Sequence, residues 1–168
     1  MDPAIELTEA RETDLGIIKE IYDYYILHST ASFFTEKVTT EELKSFILIG
    51  HPVYRSFMIH SDGEVCGFCY FSPFNKRQAY RHTAEVTLYL KQGFTGKGIG
   101  KEVLRRMEEM SAGLGIFVLI AVIAAENKPS IALFEQCGFE RCAHYRKVGV
   151  KFNRIQDVYA YEKILSTF

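Results

Sequence analysis

The feature that most constrains this chain is a glycine-rich turn between an alternating strand and an amphipathic helix. In residues 83–90 every second side chain, at positions 84, 86, 88 and 90, is apolar, which is the period of a strand with one buried face. After the turn, apolar residues at 99, 103, 107 and 110 form one helical stripe. The turn itself contains Gly96, Gly98 and Gly100, so its backbone can approach a ligand closely.

The turn also has the properties of an anion site. The first N–H groups of a helix have no partner within the helix, and together with the helix dipole they favour a phosphate or pyrophosphate. Lys97 and Lys101 add positive charge nearby. The Walker A pattern fails because Thr95 stands where its first glycine belongs and Glu102 follows Lys101; the Rossmann pattern fails because Lys101 takes the place of its last glycine. The turn is therefore either a phosphate site of another kind or a plain glycine-rich turn.

Periodicity, caps and turn residues predict the remaining elements. Strands are expected near residues 4–8, 57–60, 64–71, 116–125, 139–150 and 157–165, and further helices begin near residues 14, 40 and 127. The run at 116–125 is apolar throughout, which predicts a strand covered on both faces. The order β-α-α-β-β-β-α-β-α-β-β predicts one domain over residues 1–168. Its class is mixed α/β (α+β), with a mixed, mostly antiparallel central sheet flanked by about four helices.

Composition narrows the partners and the location. The formal net charge is −1, which gives no overall attraction for nucleic acid or an anionic membrane, so neither partner is expected. The longest apolar run is about half of the roughly 20 residues that a membrane helix needs. The sequence Met1-Asp2-Pro3 begins no signal peptide, and a cytoplasmic location is expected. The five histidines have no zinc-site spacing, so no metal is expected.

Two of the four cysteines stand close together, at Cys66 and Cys69. Residues three apart on a regular strand face opposite sides of the sheet. We therefore expect the two thiols to diverge, and interpret them as buried free thiols in a reducing cytosol rather than as a metal or redox pair.

The glycines at 98 and 100, after an alternating strand and before an amphipathic helix, resemble the acetyl-CoA loop of the GCN5-related N-acetyltransferase (GNAT) superfamily. The resemblance covers nearly the whole chain, and Asn127 and the Gly-Phe pair at 138–139 fall where that superfamily has an Asn and a Gly-Phe. Further motifs resemble the phosphinothricin and methionine sulfoximine N-acetyltransferase branch. They are Tyr24, Ser29-Thr30, Ala79-Tyr80, Thr83-Ala84-Glu85, Ala121-Val122-Ile123, and Val148-Gly149 with Lys151-Phe152.

The resemblance implies a GNAT fold that binds acetyl-CoA as co-substrate and transfers its acetyl group to an amine. Glu85 would be the general base, with a solvated strand glutamate as the alternative. The residues implied in acetyl-CoA binding are Leu88, Tyr89, Leu90, Thr95, Gly96, Lys97, Gly98, Ile99, Gly100, Lys101 and Asn127. Within this set the pyrophosphate would rest on the turn, the pantetheine would pair with the strand around 88–90, and an N–H near Leu88 would polarise the thioester carbonyl.

The branch also implies a small amino-acid-like substrate and a homodimer. Its substrate contacts correspond here to Phe34, Phe74, Asn75, Lys76, Arg77 and Tyr80, with Phe33 nearby and Lys151 as a further contact. For the cations among them, solvated surface charge is the alternative. Four positions depart from the pattern: Thr95 replaces Gln or Arg, Phe134 replaces a Tyr or His that can protonate the leaving thiolate, Asn75 replaces a cation, and Ile155 replaces Trp. Two alternatives remain open: the same chemistry on a protein N-terminus, a polyamine or an aminoglycoside, and a CoA-binding sensor without turnover.

Overall fold

A computed structural model describes residues 3–166 of the chain. The domain range expected from the sequence, and the expected lack of a leader, also involve residues 1, 2, 167 and 168, which lie outside the described residues. The strands are β1 (Ile5–Glu9), β2 (Ser56–Ser61), β3 (Glu64–Pro73), β4 (Thr83–Leu90), β5 (Val118–Ala124), β6 (Glu140–Lys151) and β7 (Arg154–Ile164). The helices are α1 (Leu15–His28), α2 (Thr40–Lys44), α3 (Ile99–Ser111) and α4 (Lys128–Gln136).

The strands form one seven-stranded sheet in the order β1-β2-β3-β4-β5-β7-β6. All neighbouring pairs are antiparallel except β4 and β5, which run parallel and are connected through α3. The element order and the mixed, mostly antiparallel sheet confirm the fold class that the sequence predicts. Among the described residues, no helix is long and apolar enough to cross a membrane.

The two faces of the sheet bury different helices. One core contains the apolar stripe of α3, with Ile99, Val103 and Met107 fully buried against the 84 and 86 side of β4. The other core contains α1 and α2, and the side chain of Tyr89 from the opposite face of β4 belongs to it. The alternation of β4 therefore separates the two cores, as its period predicts.

Helix caps and turns follow the local sequence closely. The Thr39 side chain and the Glu42 side chain form a capping box at α2, and the Asn127 side chain accepts from the Ser130 N–H at the start of α4. The β2–β3 hairpin turns through Asp62 and Gly63, whose φ angles are +50° and +84°, as the Asp-Gly pair predicts. Helix α2 is shorter than the apolar residues at 43, 46 and 47 suggest.

The expectation that Cys66 and Cys69 face opposite sides is wrong. The register between β2 and β3 shifts so that Ile59 pairs with Gly67 and His60 with Val65, which leaves Cys66 as the extra residue of a β-bulge. A bulge reverses the alternation of side chains, so both thiols lie in the same core, on the α3 side. They are free cysteines, and within residues 3–166 no group of three His, Cys, Asp or Glu side chains is placed to hold a metal ion.

Candidate active site

The two central strands separate after a short paired stretch. β4 and β5 pair only from Thr83 to Glu85, opposite Val118 to Ile120, and beyond these positions the two strands diverge. The gap is a cleft of about 560 Å³ that is lined by the later residues of both strands, the glycine turn and the start of α4. Because the carboxyl ends of β4 and β5 lie at the same edge, the cleft opens where the glycine turn begins.

The edge of β4 beyond Glu85 presents to this cleft backbone groups that pair with no neighbouring strand. The Lys91 N–H donates to the Cys66 carbonyl at 2.7 Å, and hydrogen-bonded pairs alternate along an antiparallel ladder. The amide groups of Tyr89 therefore face β3, whereas those of Leu88 and Leu90 face the cleft. An extended ligand with amide groups can pair with this edge as an added strand would.

The glycine turn supplies a second group of free donors. The first helical hydrogen bond runs from the Glu102 N–H to the Gly98 carbonyl, and no N–H of residues 95–101 donates to a backbone carbonyl within the described chain. Gly96 and Gly98 have φ angles of +73° and +78°, a region that side chains rarely allow. Free N–H groups at a helix N-terminus fit the pyrophosphate of acetyl-CoA, and the open edge of β4 fits its amide-bearing arm.

The structure brings most of the acetyl-CoA-binding residues implied by the resemblance to this cleft. Lining the cleft are Leu88, Tyr89, Leu90, Thr95, Gly96, Gly98, Gly100, Lys101 and Asn127. Two others are placed differently. Ile99 has its side chain in the α3 core, so only its N–H is available, and the Lys97 ammonium lies 5.4 Å from the centre of the Phe94 ring, beside a different cavity.

Sequence reasoning missed several residues of the cleft wall, among them Tyr25, Ala31 and Val122. Tyr25 of α1 donates its hydroxyl to the Leu90 carbonyl, and Ala31 follows in the loop after that helix. Val122 of β5 is 50% exposed and lines the cleft, which corrects the expectation that both faces of β5 are covered. The helical spacing of apolar residues in α1 gives no signal for Tyr25, because a tyrosine at such a position is most simply read as core.

Glu85 stands at the last paired position of β4, where the cleft begins. Its side chain is half-buried on the α1 face, and burial raises the pKa of its carboxyl because no charge or hydrogen bond within residues 3–166 offsets the loss of water. Tyr22, Tyr70 and Tyr89 surround it. Burial raises the pKa of each of these hydroxyls, and the charge of Glu85 raises them further.

The loop between β3 and β4 leaves the sheet beside Glu85, because Ser72 pairs with Glu85 and the strand ends one residue later. Of its implied substrate residues, Phe74 and Tyr80 are exposed and their rings meet edge to face at 5.7 Å. Lys76 and Arg77 are also exposed. Asn75 is committed to the loop itself, since its side-chain oxygen accepts from the Arg77 N–H at 3.0 Å.

The loop after α1 carries Phe34, the last of the six implied substrate residues. Phe34 is exposed and packs against Tyr22 and Phe46. The resemblance also implies Lys151 as a substrate contact, but its side chain is only 2% exposed and its ammonium donates to the Ser29 and Ser32 carbonyls at 2.7 and 2.5 Å. Lys151 therefore holds the loop that carries Phe34, and burial lowers its pKa.

Similar proteins agree with this geometry. Residues 18–139 match the model of the acetyltransferase (GNAT) family. The chain is 31% identical to the L-methionine sulfoximine/L-methionine sulfone acetyltransferase of Salmonella typhimurium, over 89% of this chain and 88% of that protein. It is 30% identical to the phosphinothricin N-acetyltransferase of Streptomyces coelicolor, over 96% of both chains.

The similarity extends to a solved three-dimensional structure. The GNAT superfamily phosphinothricin acetyltransferase of Sinorhizobium meliloti, in complex with acetyl-CoA, superposes with a TM-score of 0.87 at 29% identity, covering 99% of this chain and 90% of that one. The chain therefore belongs to the GNAT acetyltransferase family, in its phosphinothricin and methionine sulfoximine acetyltransferase-like branch, and is an acetyl-CoA-dependent N-acetyltransferase.

Proposed function

We propose that this single domain acetylates the α-amine of a small amino-acid-like substrate of the phosphinothricin or methionine sulfoximine type, with Glu85 as general base. The observation that carries the proposal is the position of Glu85. It is a half-buried carboxylate with a raised pKa, located where the free edge of β4 begins. Glu85 is not itself one of the residues that line the cleft; on β4 the lining starts at the next residue, Val86. A carboxylate with a perturbed pKa beside a cleft is a candidate for proton transfer.

The chemistry requires three actions of the protein. The attacking ammonium must lose a proton, which the Glu85 carboxylate accepts directly or through a water. Charge then develops on the thioester oxygen, and the Leu88 N–H at the open edge is the donor that stabilises it. The turn at 95–101 and the Asn127 side hold the acetyl donor so that its carbonyl lies next to the amine.

The charge of the β3–β4 loop supports an amino-acid-like substrate. Residues 74–82 contain Lys76, Arg77 and Arg81 and no carboxylate. These cations attract a carboxylate or phosphinate group, and they repel a polyamine, which is the substrate of one alternative. The exposed aromatic side chains of Phe34, Phe74 and Tyr80 supply apolar contacts around the rest of a small molecule.

The test is thiol release from acetyl-CoA with a panel of amines: phosphinothricin, methionine sulfoximine, common amino acids, spermidine and a peptide with a free N-terminus. We expect turnover on phosphinothricin and methionine sulfoximine and none on spermidine. Glu85→Gln should lower kcat/KM by at least tenfold, within the range of a lost general base. Turnover only on spermidine or the peptide would overturn the substrate, and acetyl-CoA binding without thiol release would favour a sensor.

Glu162→Gln is the matched control for the base. Glu162 is half-buried on β7 and occupies the same rung of the sheet as Glu85, because both pair with Ile120. Among the described residues none of β7 lines the cleft, whereas Val86, the neighbour of Glu85, does, so kcat/KM should stay within twofold of the wild type. Equal losses in the two variants would mean that the Glu85 effect comes from a general disturbance of the sheet, and the assignment of the base would fail.

The proposal includes a homodimer in the cytoplasm. Along the β6–β7 hairpin five large apolar side chains, 49 to 65% exposed, form an unpaired surface: Tyr145, Val148, Val150, Phe152 and Ile155. Such a surface on a small protein is typical of an interface, and free cysteines are compatible with a reducing compartment. Light scattering at micromolar concentration should give twice the monomer mass for the wild type and the monomer mass for Val150→Glu. A monomeric wild type would refute the dimer.

A further inference from the structure

The cleft divides the sheet into a first half, β1 to β4, and a second half, β5, β7 and β6. Segments carried by the two halves meet again at the open end of the cleft. Beyond the three paired positions of β4 and β5, the first half carries the loop 29–34 after α1, and the second half carries the ends of β5 and β6. Ala31 of that loop and Asn127 after β5 both line the cleft. The distance between these two segments therefore determines how wide the cleft is.

Four side chains, which we name the latch, connect the two segments: Thr30, Glu126, Lys151 and Arg154. The Thr30 hydroxyl donates to the Glu126 carboxylate at 2.8 Å. Arg154 at the start of β7 holds the same carboxylate with two nitrogens, at 2.8 and 3.0 Å. Lys151 at the end of β6 reaches the loop from the other side, through the Ser29 and Ser32 carbonyls.

The latch combines two buried side chains with an exposed ion pair. Thr30 is 8% exposed and Lys151 is 2% exposed, so these two side chains are shielded from water, whereas the Glu126 and Arg154 side chains are 38% and 56% exposed. The hydrogen bonds that Glu126 accepts from Thr30 and from Arg154 are both charge-assisted. The contact with Arg154 is bidentate, which fixes its direction as well as its distance. The Thr30 and Lys151 contacts join a first-half segment to a second-half segment, whereas Arg154 fixes the Glu126 carboxylate within the second half. The residues next to Thr30 and Glu126 in sequence, Ala31 and Asn127, are cleft residues.

We propose that the latch sets the width of the acetyl-CoA cleft, so that Thr30, Glu126 and Lys151 are positioning residues for the co-substrate. With the latch closed, the free edge of β4 and the Asn127 side stand at a separation that fits one extended ligand. With the latch broken, the cleft samples wider states, and only the fraction in the competent state binds acetyl-CoA. The apparent Kd then rises in inverse proportion to that fraction.

The decisive measurement is the Kd of acetyl-CoA by calorimetry in the absence of any amine. Thr30→Val removes the hydroxyl and keeps the shape of the side chain, whereas Thr30→Ser keeps the hydroxyl. We expect Thr30→Val to raise the Kd about tenfold and Thr30→Ser to stay within threefold of the wild type. Arg154→Gln should raise the Kd as well, and combining it with Thr30→Val should give less than the product of the two effects, because both act on one carboxylate.

A control separates positioning from simple stabilisation. Arg55 forms an exposed pair with Glu9 that resembles the Arg154 pair, but it lies on the first half of the sheet alone. Arg55→Gln should leave the Kd unchanged even if it lowers Tm as much as Arg154→Gln does. An unchanged Kd in Thr30→Val, or an equal rise in Arg55→Gln, would overturn the proposal. Since no amine is present, failure of the substrate assignment would leave this result unaffected.

Discussion

Gly67 provides the sharpest test of how the bulge in β3 and the free edge of β4 depend on each other. A Cβ atom at this position would lie 2.3 Å from the Tyr89 carbonyl oxygen, 2.9 Å from a Leu90 methyl carbon and 3.2 Å from the Leu90 Cα. The first contact involves backbone, which cannot rotate away. Gly67→Ala must therefore move β3 away from β4 along the stretch that presents Leu88 and Leu90 to the cleft.

The magnitude follows from two contributions. Overpacking in a filled core costs ~1–3 kcal/mol, and weakening one or two ladder hydrogen bonds adds ~1 kcal/mol each. The sum, ~2–5 kcal/mol, is a large part of the ~5–15 kcal/mol by which a domain is stable. Urea unfolding should therefore show a much lower midpoint for Gly67→Ala, and any folded fraction should bind acetyl-CoA more weakly.

Gly113→Ala is the control for the same chemical change. A Cβ at Gly113 would meet nothing within 4 Å, and its φ is not positive, so we expect a shift of ~0.5 kcal/mol or less in either direction. If Gly67→Ala unfolds at the same urea concentration as the wild type, the close approach of β3 and β4 does not exist in solution and the reasoning is refuted.

Three further outcomes are expected. Because burial raises the pKa of Glu85 above its ordinary 4.5 and the base must be ionised, kcat/KM should fall on the acid side with a midpoint above that value; Glu85→Gln should abolish this limb, and a limb that persists would exclude Glu85. The same raised pKa means that ionised Glu85 opposes folding as pH rises through it, so Glu85→Gln should resist urea at pH 8 at least as well as the wild type. Asn127→Ala and Thr39→Ala each remove a helix cap and should cost ~1 kcal/mol in urea unfolding, but only the first should raise the Kd of acetyl-CoA; equal changes in Kd would contradict the cleft assignment.

The elements that periodicity describes were predictable from sequence. The alternation in β4 and the apolar stripe in α3 both predict the observed elements. Each element buries its apolar face against the same core. Gly115 and Gly138 follow shortly after the ends of α3 and α4 and have φ angles of +73° and +83°, as helix-terminating glycines do. Local signals suffice for such features because the residues that decide them are neighbours in the chain.

Features set by a distant partner were not predictable. The bulge at Cys66 depends on the register with β2, and no signal within residues 64–71 gives it. The β6–β7 turn consists of Phe152 and Asn153, both with positive φ. Neither residue is the glycine that usually identifies a two-residue hairpin turn. Lys151 reads as a surface cation, and only the loop carbonyls of residues 29 and 32, more than a hundred residues away, explain its burial.

The origin of the cleft itself lies in competition between strand pairs. β4 pairs with β3 at seven positions, from Ala84 to Leu90, and β5 pairs with β7 at seven, from Val118 to Ala124, whereas β4 and β5 share only three. Neighbouring strands twist relative to each other, and here each central strand follows its longer partner, so the sheet opens at its single parallel pair. The opening leaves unpaired amides that water must otherwise solvate. A ligand with its own amides and a pyrophosphate satisfies both the exposed edge and the free N–H groups of the glycine turn, which is why acetyl-CoA chemistry belongs at this point of the fold.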